Sequence, residues 1–171
     1  MKKILVLCTG NSCRSVLAEG LINHYGAGRI EAVSAGSKPT GQVHPMSLAT
    51  LKAHGMKAEG YSSKSWDAFA GQPMDMVITV CDNAAGETCP VFFGAPVKAH
   101  WGVPDPAHFQ GTDAEKQAEF NRVFDMLERR VKALIKLPLE TMDKTELAKR
   151  LDEIGEAGRD SGAGGSVKAV R

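Results

Sequence analysis

Cys8 and Arg14 stand at the two ends of "CTGNSCR", in the stretch "LCTGNSCRS" near the start of the chain. A cysteine and an arginine at this spacing, with small polar residues between them, can build a loop whose backbone N–H groups converge on one tetrahedral oxyanion. Thr9, Gly10, Asn11, Ser12 and Cys13 supply that backbone. Gly10 relieves steric limits, and Asn11 tolerates left-handed geometry. Arg14 offers a planar fork for two oxygens. The same positive field is expected to lower the pKa of Cys8 and make its thiolate the nucleophile, with Ser15 donating a hydrogen bond to the sulfur.

Two further thiols, Cys81 and Cys89, bound the segment "CDNAAGETC". By themselves they fit a metal clip, a cross-link, a chance buried pair or redox chemistry. Zinc is disfavoured, because structural zinc sites use closer cysteine pairs and no second such pair occurs here. We therefore expect no metal ligand set. His100 with Trp101, and Asp105 with Pro106, are the remaining residues with chemical potential. Asp-Pro on its own is an ordinary turn signal.

These residues need a scaffold that brings them together. The apolar run Lys3 to Cys8 reads as a buried parallel strand. Val16, Leu17, Leu21 and Tyr25 follow at helical spacing, and Gly26 closes that helix. "IEAVSAG" reads as a second strand and "HPMSLATLKAHG" as a short helix entered through Pro45. "MDMVITVC" and "PVKAHWGV" are the third and fourth strands. "TDAE" at 112–115 is a capping box. Behind it Phe120, Val123, Phe124, Leu127, Val131, Leu134 and Ile135 mark a long amphipathic helix. Alternating strands and helices predict a single α/β domain, with a four-stranded parallel sheet and helices on both faces. Residues 1–137 would form that domain. Residues 138–171 would be a C-terminal extension, a short helix behind Asp143 and then a flexible tail.

The bulk composition narrows the function classes. The chain has 171 residues, 43% hydrophobic and 24% charged, with a net charge of +1. That suits one ordinary globular domain. It gives no global electrostatic case for nucleic acid or an anionic membrane. The apolar runs are far short of a membrane span or a signal sequence. We expect a cytoplasmic protein, monomeric by default, whose thiols are kept reduced.

"CTGNSCRS" resembles the active loop of the low-molecular-weight protein tyrosine phosphatases, and "VPDPAHF" resembles their late aspartate-proline loop. The resemblance covers about residues 2–137 and implies a flavodoxin-like topology, with Asp105 as general acid. The cysteine pair after the third strand and "HWGVPDP" after the fourth are similar to the thioredoxin-coupled arsenate reductases of the same fold. The spacing from Cys81 to Cys89 is slightly longer than in some members. That resemblance implies arsenate as substrate, with phosphate and sulfate as competing oxyanions. It implies a relay in which Cys8 attacks arsenic, Cys81 attacks Cys8, and Cys89 attacks Cys81. No tightly bound cofactor is implied; reducing equivalents would come from thioredoxin, or from glutathione and glutaredoxin. Asn11, Glu19 and Ser34, with Ser65 and Asp67, resemble positions that hold a potassium ion in some relatives. His100 and Trp101 are expected to shape the pocket wall, and His24, His44 and His54 to be solvated. The alternative is a phosphatase forming a phosphocysteine at Cys8. Phosphatases of this fold commonly set tyrosines beside the acid, and Tyr25 and Tyr61 are both remote from Asp105 in sequence.

Overall fold

A computed structural model describes residues 1–81 and 95–168. The elements, in chain order, are strand β1 (Lys2–Leu7), helix α1 (Arg14–Tyr25), β2 (Ile30–Ala35), α2 (Pro45–Ala53), β3 (Met76–Thr79), β4 (Val97–His100), α3 (Asp113–Ile135) and α4 (Lys144–Lys168). Short 3-10 turns at Trp66–Phe69 and Pro106–His108 connect them. The strands form one parallel sheet in the order β2-β1-β3-β4.

This order follows from the residues. Ile4, Leu5, Val6 and Leu7 are all buried, so the central strand is covered on both faces. A continuous apolar run is what such a strand requires. The chain leaves β1 toward β2 on one side and returns to β3 on the other. β1 and β3 therefore flank the point where strand order reverses, and ligands of open α/β sheets bind beyond the carboxyl ends there. Cys8 follows β1, Cys81 follows β3, and the segment to Asp105 follows β4, so all three emerge at that edge.

α3 begins at a complete capping box. Thr112 Oγ1 accepts from Glu115 N at 3.1 Å, and Glu115 Oε1 accepts from Thr112 N at 2.8 Å. Its stripe of Phe120, Val123, Phe124, Leu127, Val131 and Leu134 is buried, each side chain contributing roughly 1.5–3 kcal/mol of apolar transfer. α1, α2 and α4 all pack on it.

α4 departs from expectation. It continues as helix to Lys168, through 161–168, where the glycine-rich composition predicted a tail. Leu137, Leu139, Leu147 and Leu151 join the same core as the sheet, and α4 packs directly on β4. Leu139, Leu147 and Leu151, all past residue 137, are thus part of the domain's core. The thin stripe of Leu147, Leu151 and Ile154 suffices because it meets β4 and α3 together.

Candidate active site

Residues 8–13 wrap the space in front of α1, and the surrounding chain fixes their direction. Thr9 O accepts from Lys38 N at 3.0 Å. Gly10 O accepts from Thr40 N at 3.1 Å and from Ser63 Oγ at 3.0 Å. Ser12 O accepts from His44 N at 3.1 Å and from Ser47 Oγ at 3.0 Å. Carbonyls held this way suit a loop that turns N–H groups toward its interior, as an anion nest requires. α1 begins at Cys13 with no side-chain cap, so its leading N–H groups and dipole add to the same field.

Two residues make this path sterically accessible. Asn11 sits in the left-handed region at φ 47°. It is fully buried, donates through Nδ2 to Ser15 Oγ (2.8 Å) and Ser34 Oγ (2.9 Å), and accepts from Lys64 N (2.9 Å). Gly36 passes so close behind the loop that a Cβ there would stand 2.4 Å from Cys8 O and 2.3 Å from Thr9 O.

Arg14 leans over the loop. Its Nη1 donates to Val103 O at 3.2 Å, and its Nη2 meets Asp105 Oδ2 at 3.3 Å. Arg14 Nε is buried and has no hydrogen-bond partner among the described residues. A buried donor without a partner costs free energy unless something accepts from it, and an oxyanion in the loop would. Asp105 also caps its own turn, with Oδ1 accepting from Ala107 N at 3.0 Å, and His108 Nδ1 lies 3.4 Å from Oδ2.

Cys8 and Cys81 are both buried, and their thiols are hydrogen-bonded to each other. Cys81 Sγ also accepts from Thr9 N at 3.4 Å and lies 3.7 Å from Thr9 Oγ1. This corrects one expectation. The loop's field does not prevail at Cys8: the Cys81 contact and burial push its thiol well above the ordinary 9.0, and Arg14 opposes them only in part. Burial likewise raises Cys13, against the contacts from Ser12 and Ser47. Cys89 lies outside the described residues.

Other expected residues fall elsewhere. Ser15 is buried as acceptor for Asn11 rather than aimed by any described bond at the sulfur. Trp101 is fully buried beneath α4, donating from Nε1 to Leu151 O at 3.0 Å, and so is not pocket wall. His100 Nδ1 lies 2.7 Å from Thr79 Oγ1 at the strand ends. His24 and His54 are exposed, as expected, His54 also stacking on Phe124 with ring centroids 4.0 Å apart, while half-buried His44 caps α2 through Met46 N.

The residues that resemble a potassium site bond to one another and to the backbone. Ser34 Oγ donates to Glu19 Oε1 at 2.5 Å, and Asn11 turns its amide nitrogen, not its oxygen, toward the serines. Ser65 Oγ accepts from Asp67 N. In this structure the donors and acceptors of these residues are paired among themselves. Among the described residues no group of three or more His, Cys, Asp or Glu could hold a metal. No described helix is long and apolar enough to cross a membrane.

Gly36, Ser47 and Ser63 also serve the site, beyond the residues the sequence singles out. Only Gly36 carried a sequence signal, a glycine closing a strand where another backbone can approach.

Comparison with known proteins agrees with this geometry. Residues 3–150 match the low molecular weight phosphotyrosine protein phosphatase family. An arsenate reductase of Halalkalibacterium halodurans is 40% identical over 131 residues, 77% of this chain and 93% of the relative. A solved arsenate reductase in a phosphate-binding state superposes with a TM-score of 0.63 at 30% identity, over 79% of this chain and 97% of that one. The thioredoxin-dependent arsenate reductase of Corynebacterium glutamicum gives 0.53 at 25% identity, over 77% of this chain and 62% of its own. The chain belongs to the low molecular weight phosphotyrosine protein phosphatase family, in the branch that contains these arsenate reductases.

Proposed function

We propose that the protein is an oxidoreductase that reduces arsenate to arsenite through Cys8, Cys81 and Cys89, with thioredoxin as the dithiol that regenerates it. The observation that carries this reading is the Cys81 thiol in hydrogen-bond contact with Cys8 at the mouth of an anion loop. A phosphatase has no use for a second thiol there, whereas a reductase needs one to take the oxidising equivalent.

Arsenate lies in the nest of residues 9–14, with Arg14 Nε and the inward N–H groups on its oxygens. Cys8 sulfur bonds to arsenic as its thiol proton passes by way of Asp105 to an arsenic hydroxyl, which leaves as water. The net change is thiol plus arsenate to thiol–arsenate adduct plus water. The Cys81 thiolate attacks the Cys8 sulfur. The S–As bond breaks, its electron pair stays on arsenic, and arsenite leaves a Cys8–Cys81 disulfide. Cys89 thiolate attacks Cys81, frees Cys8, and leaves a Cys81–Cys89 disulfide for the external dithiol.

The test supplies arsenate with thioredoxin, thioredoxin reductase and NADPH, and in parallel with glutathione and glutaredoxin. Arsenate-dependent NADPH oxidation in the thioredoxin arm is expected. No turnover in either arm, beside brisk p-nitrophenyl phosphate hydrolysis, would make it a phosphatase instead.

A further inference from the structure

The segment from β4 to Asp105 is pinned residue by residue. Trp101 Nε1 donates to Leu151 O of α4 at 3.0 Å. Arg130 of α3, buried in the core, donates from Nη1 to Gly102 O at 3.1 Å. Val103 N donates to Val80 O at 3.1 Å, and Val103 O accepts from Arg14. Pro104 and Asp105 follow at once, so a shift at residue 101 has little slack to be absorbed before it reaches the carboxylate.

α4 comes unusually close at this place. A Cβ at Gly155 would stand 2.7 Å from His100 O and 3.0 Å from Trp101 Cδ1. The helix therefore seats directly on the end of β4, and only glycine fits the contact. Leu151 and Gly155 both lie beyond residue 150, where the family match ends.

We propose that α4 positions the acid loop: Gly155 and Trp101 set how residues 101–103 leave β4 and thereby hold Asp105 beside Arg14. This rests on the reading of Asp105 as proton donor in arsenate reduction. Gly155 and Trp101 are positioning residues; neither touches the substrate loop. They act by fixing the acid within reach of the leaving hydroxyl, where geometry is costly to lose.

The experiment follows arsenite formed in a single turnover of pre-reduced full-length protein, which needs no external reductant. The variants are Gly155→Ala, Trp101→Phe, Asp105→Asn and the double variant Gly155→Ala/Asp105→Asn. Gly155→Ala and Trp101→Phe should each slow the step by about tenfold or more, since small misplacements of a catalytic group cost on that order. Inhibition by inorganic phosphate should change less than the rate, because the loop carbonyls are held by residues 38–63 and only Arg14 touches the shifted segment, through Val103 O and Asp105. Adding Gly155→Ala to Asp105→Asn should cost nothing further, because the acid it positions is gone. Trp101→Phe keeps an aromatic ring in the core and serves if Gly155→Ala fails to fold, as judged by thermal unfolding. Wild-type rates in folded variants, or losses that multiply with Asp105→Asn, would overturn the proposal. A wild-type protein that makes no arsenite would instead overturn the reductase reading, and this proposal with it.

Discussion

Gly36→Ala separates the loop's steric frame from its chemistry. The added methyl carbon would lie 2.4 Å from Cys8 O and 2.3 Å from Thr9 O, against a practical floor of 3.0 Å. Gly36 has no room to retreat. Its N–H donates to Lys64 O at 2.9 Å, its carbonyl accepts from Trp66 N at 3.0 Å, and it bridges to Ser65. The anion loop must therefore give way by about 0.7 Å, and overpacking of this kind costs ~1–3 kcal/mol. The displaced residues include the nucleophile and Thr9, which donates to Cys81. A misplacement approaching 1 Å costs on the order of a hundredfold in rate. The assay is single-turnover arsenite formation by pre-reduced protein, with urea unfolding in parallel and phosphate inhibition as a measure of the nest. We expect lower stability, a rate down by roughly that factor and weakened phosphate inhibition. Gly28→Ala is the control: φ there is 87° but nothing stands within 4 Å, so it should cost ~1–2 kcal/mol and leave the rate alone. Wild-type stability and rate in Gly36→Ala would refute the steric argument.

Other consequences are as direct. Asn11→Ala removes three hydrogen bonds of a fully buried side chain, and should lower unfolding free energy by about 3 kcal/mol in urea titration. Cys81→Ala removes the largest influence that raises the Cys8 thiol, so thiolate absorbance at 240 nm should titrate at lower pH than in wild type, measured with Cys13 and Cys89 replaced in both. Glu19 is held above the ordinary 4.5, mainly by burial, with Ser34 and Lys64 opposing. A raised carboxyl favours the folded state below its unfolded pKa and loses that advantage as pH climbs through the folded value. Glu19→Gln should therefore gain on wild type in thermal unfolding as pH rises above about 4.5, and a gap that narrows with rising pH would contradict it.

Much of this architecture is legible in the residues, and the reasons are local. β1 is a continuous apolar run and α3 a repeat of threes and fours behind a capping box, so period alone identifies both. The anion loop reads from cysteine and arginine at fixed spacing between a strand and a helix. What escapes is long-range. Gly36 matters because of a backbone that approaches from 28 residues earlier, and Ser47 and Ser63 matter because of carbonyls they meet across the fold. Arg130 sits on the buried stripe between Leu127 and Leu134, where its charge suggests solvent; it finds Gly102 O instead. The Cys8 thiol was misread because the loop's field is visible in the residues and the buried partner thiol, 73 positions away, is not.

The central claim is that the oxidising equivalent made at Cys8 leaves through Cys81. Rapid quenching of pre-reduced protein mixed with arsenate, followed by alkylation and peptide mass analysis, follows it directly. The account predicts a Cys8–Cys81 disulfide that rises with arsenite and is replaced by Cys81–Cys89, with no arsenite from Cys81→Ser. Arsenite formed by Cys81→Ser at the wild-type rate would contradict it.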